Sequence, residues 1–521
     1  MNMRLHCVTG CLAASLLLAS AGARAASSCT DLLKFAAPGA AATIEKAQEI
    51  AAATLRAPPG APPGSLQVPA HCRVDGVIGA HTGRDGKAYG IRFAVAMPAQ
   101  WNGRLVYQGG GGLNGSVQLP LGATAAGDMS ALARGFAVVT SDSGHEGAVF
   151  DASFMADQQA ALDFLYESIG KVMAVARPLI AAHYGNAAAH SYFVGCSTGG
   201  REAMISAQRF PSVFDGIVAG SPAMRTNYSN LALRWVTASL NAAAPRDAKG
   251  HSVTGQALSD TDRKLVVDGL LKACDALDGV RDGMVFDSEH CAFDPRVLQC
   301  KGRKTDSCLT AIQVRAIKRA FAGPKTAAGR QVYPGFAYDT GIGAKGRGIP
   351  GLLSGGTAPE GGMPTGSALD VDAQAAIAHD AREMAGDTDA WTNLSSFTAH
   401  GGKLIFYHGL SDPWFSALET VRYYQALGAD ASNGAGPVSN WSRLFLVPGM
   451  SHCGGGEATL DHFDMLSAIV AWVEQGQAPA QVIATGAAFP GRSRPLCPYP
   501  KHAQYSGHGD SESAANFSCR D

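Results

Sequence analysis

Two cysteines stand beside two residues that could carry out nucleophilic chemistry. Ser197 lies in Gly195-Cys196-Ser197-Thr198-Gly199, and His452 lies in Ser451-His452-Cys453. Serine becomes an effective nucleophile when a neighbouring base such as histidine removes its proton. A disulfide between Cys196 and Cys453 needs Cα atoms roughly 4.4 to 6.8 Å apart, so it would bring this serine and this histidine together. The pattern predicts acyl transfer by Ser197 with His452 as its base.

Asp412 is the best candidate for the carboxylate that orients His452. It follows the predicted strand 403–407, in His408-Gly409-Leu410-Ser411-Asp412-Pro413. Open α/β sheets place their chemistry at the carboxyl ends of strands. The pentapeptide around Ser197 also fits the G-x-S-x-G nucleophile elbow, and the chain order Ser, Asp, His is that of α/β-hydrolases.

Less specific interpretations of these residues stay open at this point. Ser197 could be a Gly/Ser turn residue, His452 a surface histidine and Asp412 an Asp-Pro turn former. His408 and His145 are rival bases, although neither has a cysteine neighbour.

Acyl transfer also needs N–H donors aimed at the developing oxyanion. We expect one from the backbone of Thr198, immediately after the nucleophile. The second is expected from Gly109-Gly110-Gly111-Gly112, with Gly111 and Gly112 as the donors, just after the predicted strand 105–108. Glycine lets bare backbone approach a substrate closely. A flexible turn is the alternative.

Length and composition limit the possible protein classes. A chain of 521 residues with 46% hydrophobic residues predicts two domains, or one domain with a large insertion. A net charge of −1, only 16% charged residues and no basic tract argue against nucleic acid or an anionic membrane as partners. We therefore expect a small-molecule substrate, and the oligomeric state stays open.

The N-terminus resembles a secretory signal peptide. Arg4 precedes an apolar run at 11–18, and Ala23-Arg24-Ala25 fits a cleavage site, so residues 1–25 would be removed. Export to the periplasm or the exterior would expose the chain to an oxidising compartment, in which disulfides persist.

The cysteine count agrees with export. Of 12 cysteines, Cys7 and Cys11 would leave with the signal, and the remaining even number suits five bridges. Sequence does not fix their connectivity, but proximity and nesting favour one set of pairs. These are Cys29–Cys72, Cys196–Cys453, Cys274–Cys291, Cys300–Cys308 and Cys497–Cys519.

Strand and helix patterns alternate at both ends of the chain but not in the middle. Buried strands are predicted at 74–78, 91–97, 105–108, 136–141, 191–194, 214–219, 403–407 and 443–447, with helices at 158–183, 200–209 and 460–474. This predicts an α/β fold with a mostly parallel sheet. The core would comprise residues 26–223 and 397–521, interrupted by an inserted lid domain at 224–396, in which helices are predicted at 260–273 and 372–384.

One acidic loop in the insertion has the composition of a cation site. Asp275, Asp278 and Asp282 alternate with small residues, and the carbonyls of Val280 and Met284 would add ligands. Carboxylate and carbonyl oxygens suit calcium, although the spacing is not that of an EF-hand. A structural role is expected, and a solvated acidic loop is the alternative.

The chain resembles the tannase and feruloyl esterase family. The resemblance rests on residues 191–202, 214–223, 108–112, 141–145, 409–413 and 448–453, and it extends over essentially the whole mature chain. It implies an α/β-hydrolase core with a lid, a lid calcium site at the loop just described, and a triad of Ser197, Asp412 and His452. It also supports the disulfide pairs given above.

The resemblance implies a secreted serine esterase acting on esters of aromatic acids such as hydroxycinnamates or gallates. Residues 403–416 look like the branch of the family that hydrolyses the terephthalate half-ester, and Phe415 would then face the aromatic acyl group. An ordinary core aromatic is the alternative for Phe415. The lid segment 335–366 is almost all Gly, Pro and small residues, so no carboxylate-binding arginine is assigned; Arg330, Arg347 and Arg382 are the candidates. A peptidase, an acyltransferase or an inactive binding protein are the rival functions.

Overall fold

The computed structural model describes residues 26–56, 65–344, 362–379, 382–430 and 436–521. The predicted signal peptide, residues 1–25, lies outside them. The strands are β1 (Ala42–Ile50), β2 (Ala53–Arg56), β3 (Ser65–Val68), β4 (His71–Thr82), β5 (Ala88–Pro98), β6 (Arg104–Gln108), β7 (Ala137–Ser141), β8 (His190–Cys196), β9 (Gly216–Gly220), β10 (Lys403–Gly409), β11 (Ser442–Val447), β12 (Val482–Ala484), β13 (Arg494–Leu496), β14 (His502–Tyr505) and β15 (Phe517–Arg520).

Helices fill the connections between these strands. They are α1 (Gln158–Leu162), α2 (Ser168–Tyr184), α3 (Thr198–Arg209), α4 (Thr226–Asn241), α5 (Asp260–Cys274), α6 (Ala311–Ala322), α7 (Val371–Ala378), α8 (Ser395–Ala399), α9 (Ala417–Asp430) and α10 (Met465–Gln475). Among the described residues, no helix is long and apolar enough to cross a bilayer.

Nine strands form one sheet in the order β1-β4-β5-β7-β6-β8-β9-β10-β11. The strands from β7 across to β11 are parallel, and β1, β4 and β5 extend the sheet in antiparallel pairing. The chain reverses its direction of travel across the sheet between β6 and β8. At such a switch point, loops at the carboxyl ends of strands diverge and leave room for a ligand.

The parallel strands are buried on both faces because helices cover each face. On β8, Phe193 packs into one apolar cluster, and Tyr192 packs into another on the opposite face. Helix α2 contributes Val172 to the first cluster, and α10 contributes Trp472 to the second. This is the layered α/β arrangement predicted from the alternation of elements.

The inserted region has an apolar core of its own. Val236 from α4, Leu270 from α5 and Ile317 from α6 belong to a third cluster, whose buried members all lie between residues 232 and 342. The helices therefore pack mainly on one another rather than on the sheet. The limits 224 and 396 stay predictions.

Three predicted elements differ from those observed. The helix predicted at 460–474 begins at Met465, because Asp464 caps it by accepting a hydrogen bond from the Ser467 amide. The helix predicted at 372–384 is confined to α7, and a π-helical turn at Asp163–Glu167 interrupts the one predicted at 158–183. Strand β1 was not predicted, since its exposed alternating face carries few β-forming residues.

Candidate active site

Ser197 occupies a sharp turn between β8 and α3. Its backbone has φ 64° and ψ −123°, a conformation that costs a non-glycine residue on the order of 1 to 3 kcal/mol. The flanking glycines make the turn sterically possible. A Cβ on Gly195 would lie 2.4 Å from the Gly199 carbonyl oxygen, and a Cβ on Gly199 would lie 2.7 Å from the carbonyl oxygen of Gly110. The G-x-S-x-G pattern thus reflects a close backbone crossing at the nucleophile elbow.

Asp412 and His452 meet at the carboxyl ends of β10 and β11. Nδ1 of His452 lies 2.7 Å from Oδ2 of Asp412. Because a carboxylate accepts this hydrogen bond, the proton resides on Nδ1 and Nε2 is left with its lone pair. Nε2 is buried and has no hydrogen-bond partner in the described part of the chain. The ring is therefore prepared to receive a proton at Nε2.

The surroundings of Asp412 keep its carboxyl ionised. The side chain is 1% exposed, and its Oδ1 accepts hydrogen bonds from the amides of Trp414 and Phe415, at 2.9 and 3.1 Å. Burial acts to raise the pKa of Asp412, but the two adjacent rings of His452 and His408 outweigh burial and hold that pKa below its usual range.

A disulfide joins the serine turn to the histidine loop. Cys196 and Cys453 are bonded, with their Cα atoms 5.9 Å apart. Ser197 and His452 are each one residue from this bridge, which limits how far the two loops can separate. The other four disulfides are the pairs favoured by the sequence: Cys29–Cys72, Cys274–Cys291, Cys300–Cys308 and Cys497–Cys519.

The glycine loop after β6 lies against α3, the helix that follows Ser197. The Gly199 amide donates to the Gly110 carbonyl at 3.1 Å, and the Thr198 hydroxyl donates to the Gly112 carbonyl. The amides of Thr198, Gly111 and Gly112 donate to no protein acceptor within the described ranges. Unpaired amides beside a nucleophile are the donors that an oxyanion needs.

Glu202 ties this loop to the helix, and sequence reasoning gave it no role. Its buried carboxylate accepts from the Gly110 amide at 2.9 Å, from Asn114 Nδ2 at 2.7 Å and from the Ser143 hydroxyl at 3.0 Å. The Gly110 amide is therefore engaged and not free for substrate. Glu202 and Ser143 both lie in motifs quoted above, but no spacing rule pairs them, and Asn114 gave no signal.

The two rival histidines are engaged elsewhere. His408 is fully buried, with Nδ1 2.8 Å from the Thr420 hydroxyl and Nε2 within 3.3 Å of Asp412. His145 stacks on Phe154 with ring centroids 3.5 Å apart, and burial lowers its pKa to about 4. His408 therefore flanks the carboxylate, and His145 sits in an apolar cage.

Two aromatic rings lie beside His452. The indole of Trp414 is 4.7 Å from the imidazole and 36% exposed, and the ring of Phe415 is 5.4 Å away and buried. Sequence reasoning named only Phe415. Of the arginine candidates, Arg330 and Arg382 are exposed and Arg347 lies outside the described residues, so none is assigned to substrate.

The acidic loop of the lid brings its carboxylates into partly buried positions. Burial, reinforced by the charges of Asp282 and Asp275, raises the pKa of Asp278 to about 7, and its Oδ2 is buried without a hydrogen-bond partner. Asp282 is already paired with Arg494, Nη2 to Oδ2 at 2.5 Å. The Val280 and Met284 carbonyls accept no hydrogen bond from the described residues.

The three carboxylates do not gather within 4.8 Å of one another in the described coordinates. Within the described ranges, the group of His, Cys, Asp or Glu residues that does so comprises Cys29, Glu49 and Cys72, and its sulfurs are joined in a disulfide. An unpaired buried carboxylate oxygen and two open carbonyls nevertheless fit a hard cation, because each is an oxygen ligand without a competing donor.

A segment of the lid, residues 333–341, runs along the loop that carries Asp412; we name it the lid strap. The Ser416 amide donates to the Tyr333 hydroxyl at 3.2 Å, and the Ser416 hydroxyl donates to the Gly335 carbonyl. Asp339 accepts from the Ser411 hydroxyl at 2.7 Å. The sequence alone indicated only a Gly-rich segment here and did not predict these hydrogen bonds.

Fold and site together place the chain among the α/β-hydrolases that use a serine nucleophile. The chain matches the tannase and feruloyl esterase family over residues 72–350 and 367–520, and it belongs to that family. It is a serine ester hydrolase.

Known relatives agree with this assignment. The chain is 41% identical to mono(2-hydroxyethyl) terephthalate hydrolase of Piscinibacter sakaiensis, over 92% of this chain and 89% of that protein. It is 30% identical to a probable feruloyl esterase B-2 of Aspergillus flavus, over 75% of this chain and 76% of that one. The structure of feruloyl esterase B from Aspergillus oryzae superposes with a TM-score of 0.74 at 26% identity, covering 92% of this chain and 97% of that one.

Proposed function

We propose that this enzyme hydrolyses esters of aromatic carboxylic acids through an acyl-enzyme on Ser197. The observation that carries the proposal is the hydrogen bond of 2.7 Å between Asp412 and His452, in a loop joined by a disulfide to the serine turn. This arrangement supplies a nucleophile, a base and the carboxylate that orients the base.

The proposed mechanism has two halves. Nε2 of His452 takes the proton of the Ser197 hydroxyl as the oxygen attacks the ester carbonyl, and the resulting oxyanion accepts hydrogen bonds from Thr198 and from Gly111 or Gly112. Collapse breaks the bond to the alcohol, which leaves with the proton from His452. Water, deprotonated by the same nitrogen, then attacks the acyl-enzyme, releases the acid and restores Ser197.

Aromatic acids are the proposed acyl group because Trp414 and Phe415 lie within 5.4 Å of the His452 ring, ring centroid to ring centroid. Flat apolar rings favour offset or edge contacts with another aromatic ring. The names of the relatives, a terephthalate half-ester hydrolase and feruloyl esterases, support the same substrate class. The half-ester is the second candidate substrate, favoured by the 41% identity to its hydrolase.

We also propose a structural calcium ion in the lid, held by Asp275, Asp278 and Asp282 with the carbonyls of Val280 and Met284. Its chemistry there would be neutralisation of buried negative charge, since the unpaired Asp278 Oδ2 has no donor among the described residues. The five disulfides support export to an oxidising compartment, the periplasm or the exterior, after cleavage near Ala25.

A substrate panel tests the proposal. Methyl ferulate, methyl gallate, the terephthalate half-ester and methyl acetate should be compared with wild-type enzyme and Ser197→Ala. We expect kcat/KM to be highest for one of the aromatic esters and to fall at least about a thousandfold in the variant. Equal rates in the two proteins would contradict the nucleophile, and a preference for acetate would contradict the substrate class.

A further inference from the structure

One buried carboxylate of the lid connects the loops that carry two triad members. Oδ2 of Asp339 accepts hydrogen bonds from the Ser411 hydroxyl and from the Gly449 amide, each at 2.7 Å. Ser411 is the residue before Asp412, and Gly449 lies three residues before His452. A single oxygen of the lid therefore bonds to both the Asp412 loop and the His452 loop, which are also joined directly by the hydrogen bond from the Ser411 amide to the Met450 carbonyl.

The hydrogen bonds of Asp339 Oδ2 are shielded from solvent, and the backbone around them is tightly packed. Asp339 is 1% exposed, and the Gly341 amide of the same strap donates to the Ser411 hydroxyl at 2.9 Å. Gly449 has φ +70°, and a Cβ there would lie 1.7 Å from the Ala458 carbonyl oxygen, so the backbone that presents its amide cannot shift without repacking. Hydrogen bonds to a charged group contribute more to stability than hydrogen bonds between neutral groups.

The hydrogen bonding of the second carboxylate oxygen, Oδ1, does not explain why Asp339 is buried. Oδ1 is buried and has no hydrogen-bond partner among the described residues, and burial raises the pKa of this carboxyl. A buried carboxylate with an unpaired oxygen lowers stability unless other contacts compensate. Both hydrogen bonds of Oδ2 go to loops of the active site.

We propose that Asp339 is a positioning residue that keeps Asp412 and His452 in the relative positions that proton transfer needs. The lid then helps to order the active site as well as to cover it. This inference rests on the triad proposed above. Without the Oδ2 contacts the two loops keep the hydrogen bond between their own side chains and the backbone hydrogen bond from the Ser411 amide to the Met450 carbonyl at 3.0 Å, but they lose their shared contact with the lid. A misplacement of about 1 Å between reacting groups can cost about a hundredfold in rate.

The test compares Asp339→Ala, Asp339→Asn and Ser197→Ala in the full-length enzyme. Asparagine keeps an acceptor oxygen for Ser411 and Gly449, whereas alanine removes it. We expect Asp339→Ala to lower kcat on methyl ferulate 10- to 100-fold, with KM changed less than threefold, and Asp339→Asn to regain at least half of that loss on a logarithmic scale. The rate of Ser197 labelling by a fluorophosphonate should follow kcat.

The matched control is Trp235→Phe, which removes a hydrogen bond of 2.7 Å to the Arg319 carbonyl inside the lid. It should lower Tm and leave kcat unchanged for the folded fraction. The inference is overturned if Asp339→Ala keeps kcat within twofold, if Asp339→Asn is no better than alanine, or if Trp235→Phe loses as much activity at equal folded fraction. If Ser197→Ala retains activity, the proposed function fails as well.

Discussion

The core and the lid contribute to the same site by different means. In the core, each site residue follows a strand of one sheet: the glycine loop after β6, Ser197 after β8, Asp412 after β10 and His452 after β11. The lid has its own apolar cluster and reaches the site through polar contacts of the lid strap. A regular sheet brings groups to one edge, and irregular polar contacts then fix their spacing.

The comparison of core and lid shows which contacts set the spacing of the site residues. Parallel strands bring residues to one edge of the sheet. The loops that carry those residues can shift by more than the geometry of the reaction tolerates. A covalent bridge and two buried carboxylates limit this movement. Cys196–Cys453 joins the serine turn to the histidine loop, Glu202 bonds to the glycine loop, and Asp339 bonds to the aspartate and histidine loops. Removing any one of these three contacts should lower the catalytic rate by more than its effect on the free energy of unfolding would explain.

The largest effect is expected from the bridge. The variant Cys196→Ser with Cys453→Ser should lose roughly a hundredfold in kcat on methyl ferulate, measured at a temperature where circular dichroism shows it folded. The control is Cys300→Ser with Cys308→Ser, which opens a short lid loop spanning a sequence separation of 8. Full turnover in the first variant, or an equal loss in the second, would remove the bridge from the account.

The core contributes a second carboxylate that can be tested in the same way. Glu202→Gln places an amide NH₂ among three donors, so the glycine loop should shift and kcat should fall on the order of tenfold with a smaller change in KM. Glu474→Gln is the matched control, since Glu474 accepts from Arg104 and Tyr192 near the amino ends of β6 and β8. If both variants lose the same activity, Glu202 has no special role in the oxyanion site.

The smallest effect on catalysis is expected from the acidic lid loop in which we propose a calcium ion. Folding raises the pKa of Asp278 from 3.8 to about 7, so its protonated form stabilises the fold. That contribution is complete below pH 3.8 and is lost as the pH rises through about 7. Calcium binds the ionised form, so it should raise Tm by a few °C at pH 8 and by less at pH 5.

Two variants isolate this effect. Asp278→Asn should abolish the calcium response, whereas Asp268→Asn, an exposed lid residue paired with Lys264, should keep it. Differential scanning calorimetry with calcium and with chelator at both pH values gives the comparison. A calcium response that is equal at the two pH values, or that survives in Asp278→Asn, would show that this loop is not the site.

The sequence predicted the core better than the lid for a physical reason. Strands β4 to β11 carry buried apolar runs, and Ser197, Asp412 and His452 stand in turns that directly follow such runs. Asp339 and Glu202 bond to partners 59 to 110 residues away in the sequence, and nothing in local periodicity encodes such pairs. Trp414 was given no role because the resemblance over residues 403–416 implied one only for Phe415.

The central claim is that Ser197 forms the acyl-enzyme. The p-nitrophenyl ester of ferulic acid should be mixed with enzyme, quenched with acid within the burst phase and digested for mass spectrometry. We predict the added mass of one feruloyl group on the peptide containing Ser197, and none in Ser197→Ala. A feruloyl group on another residue, or rapid hydrolysis with no covalent species at any time point, would contradict the account.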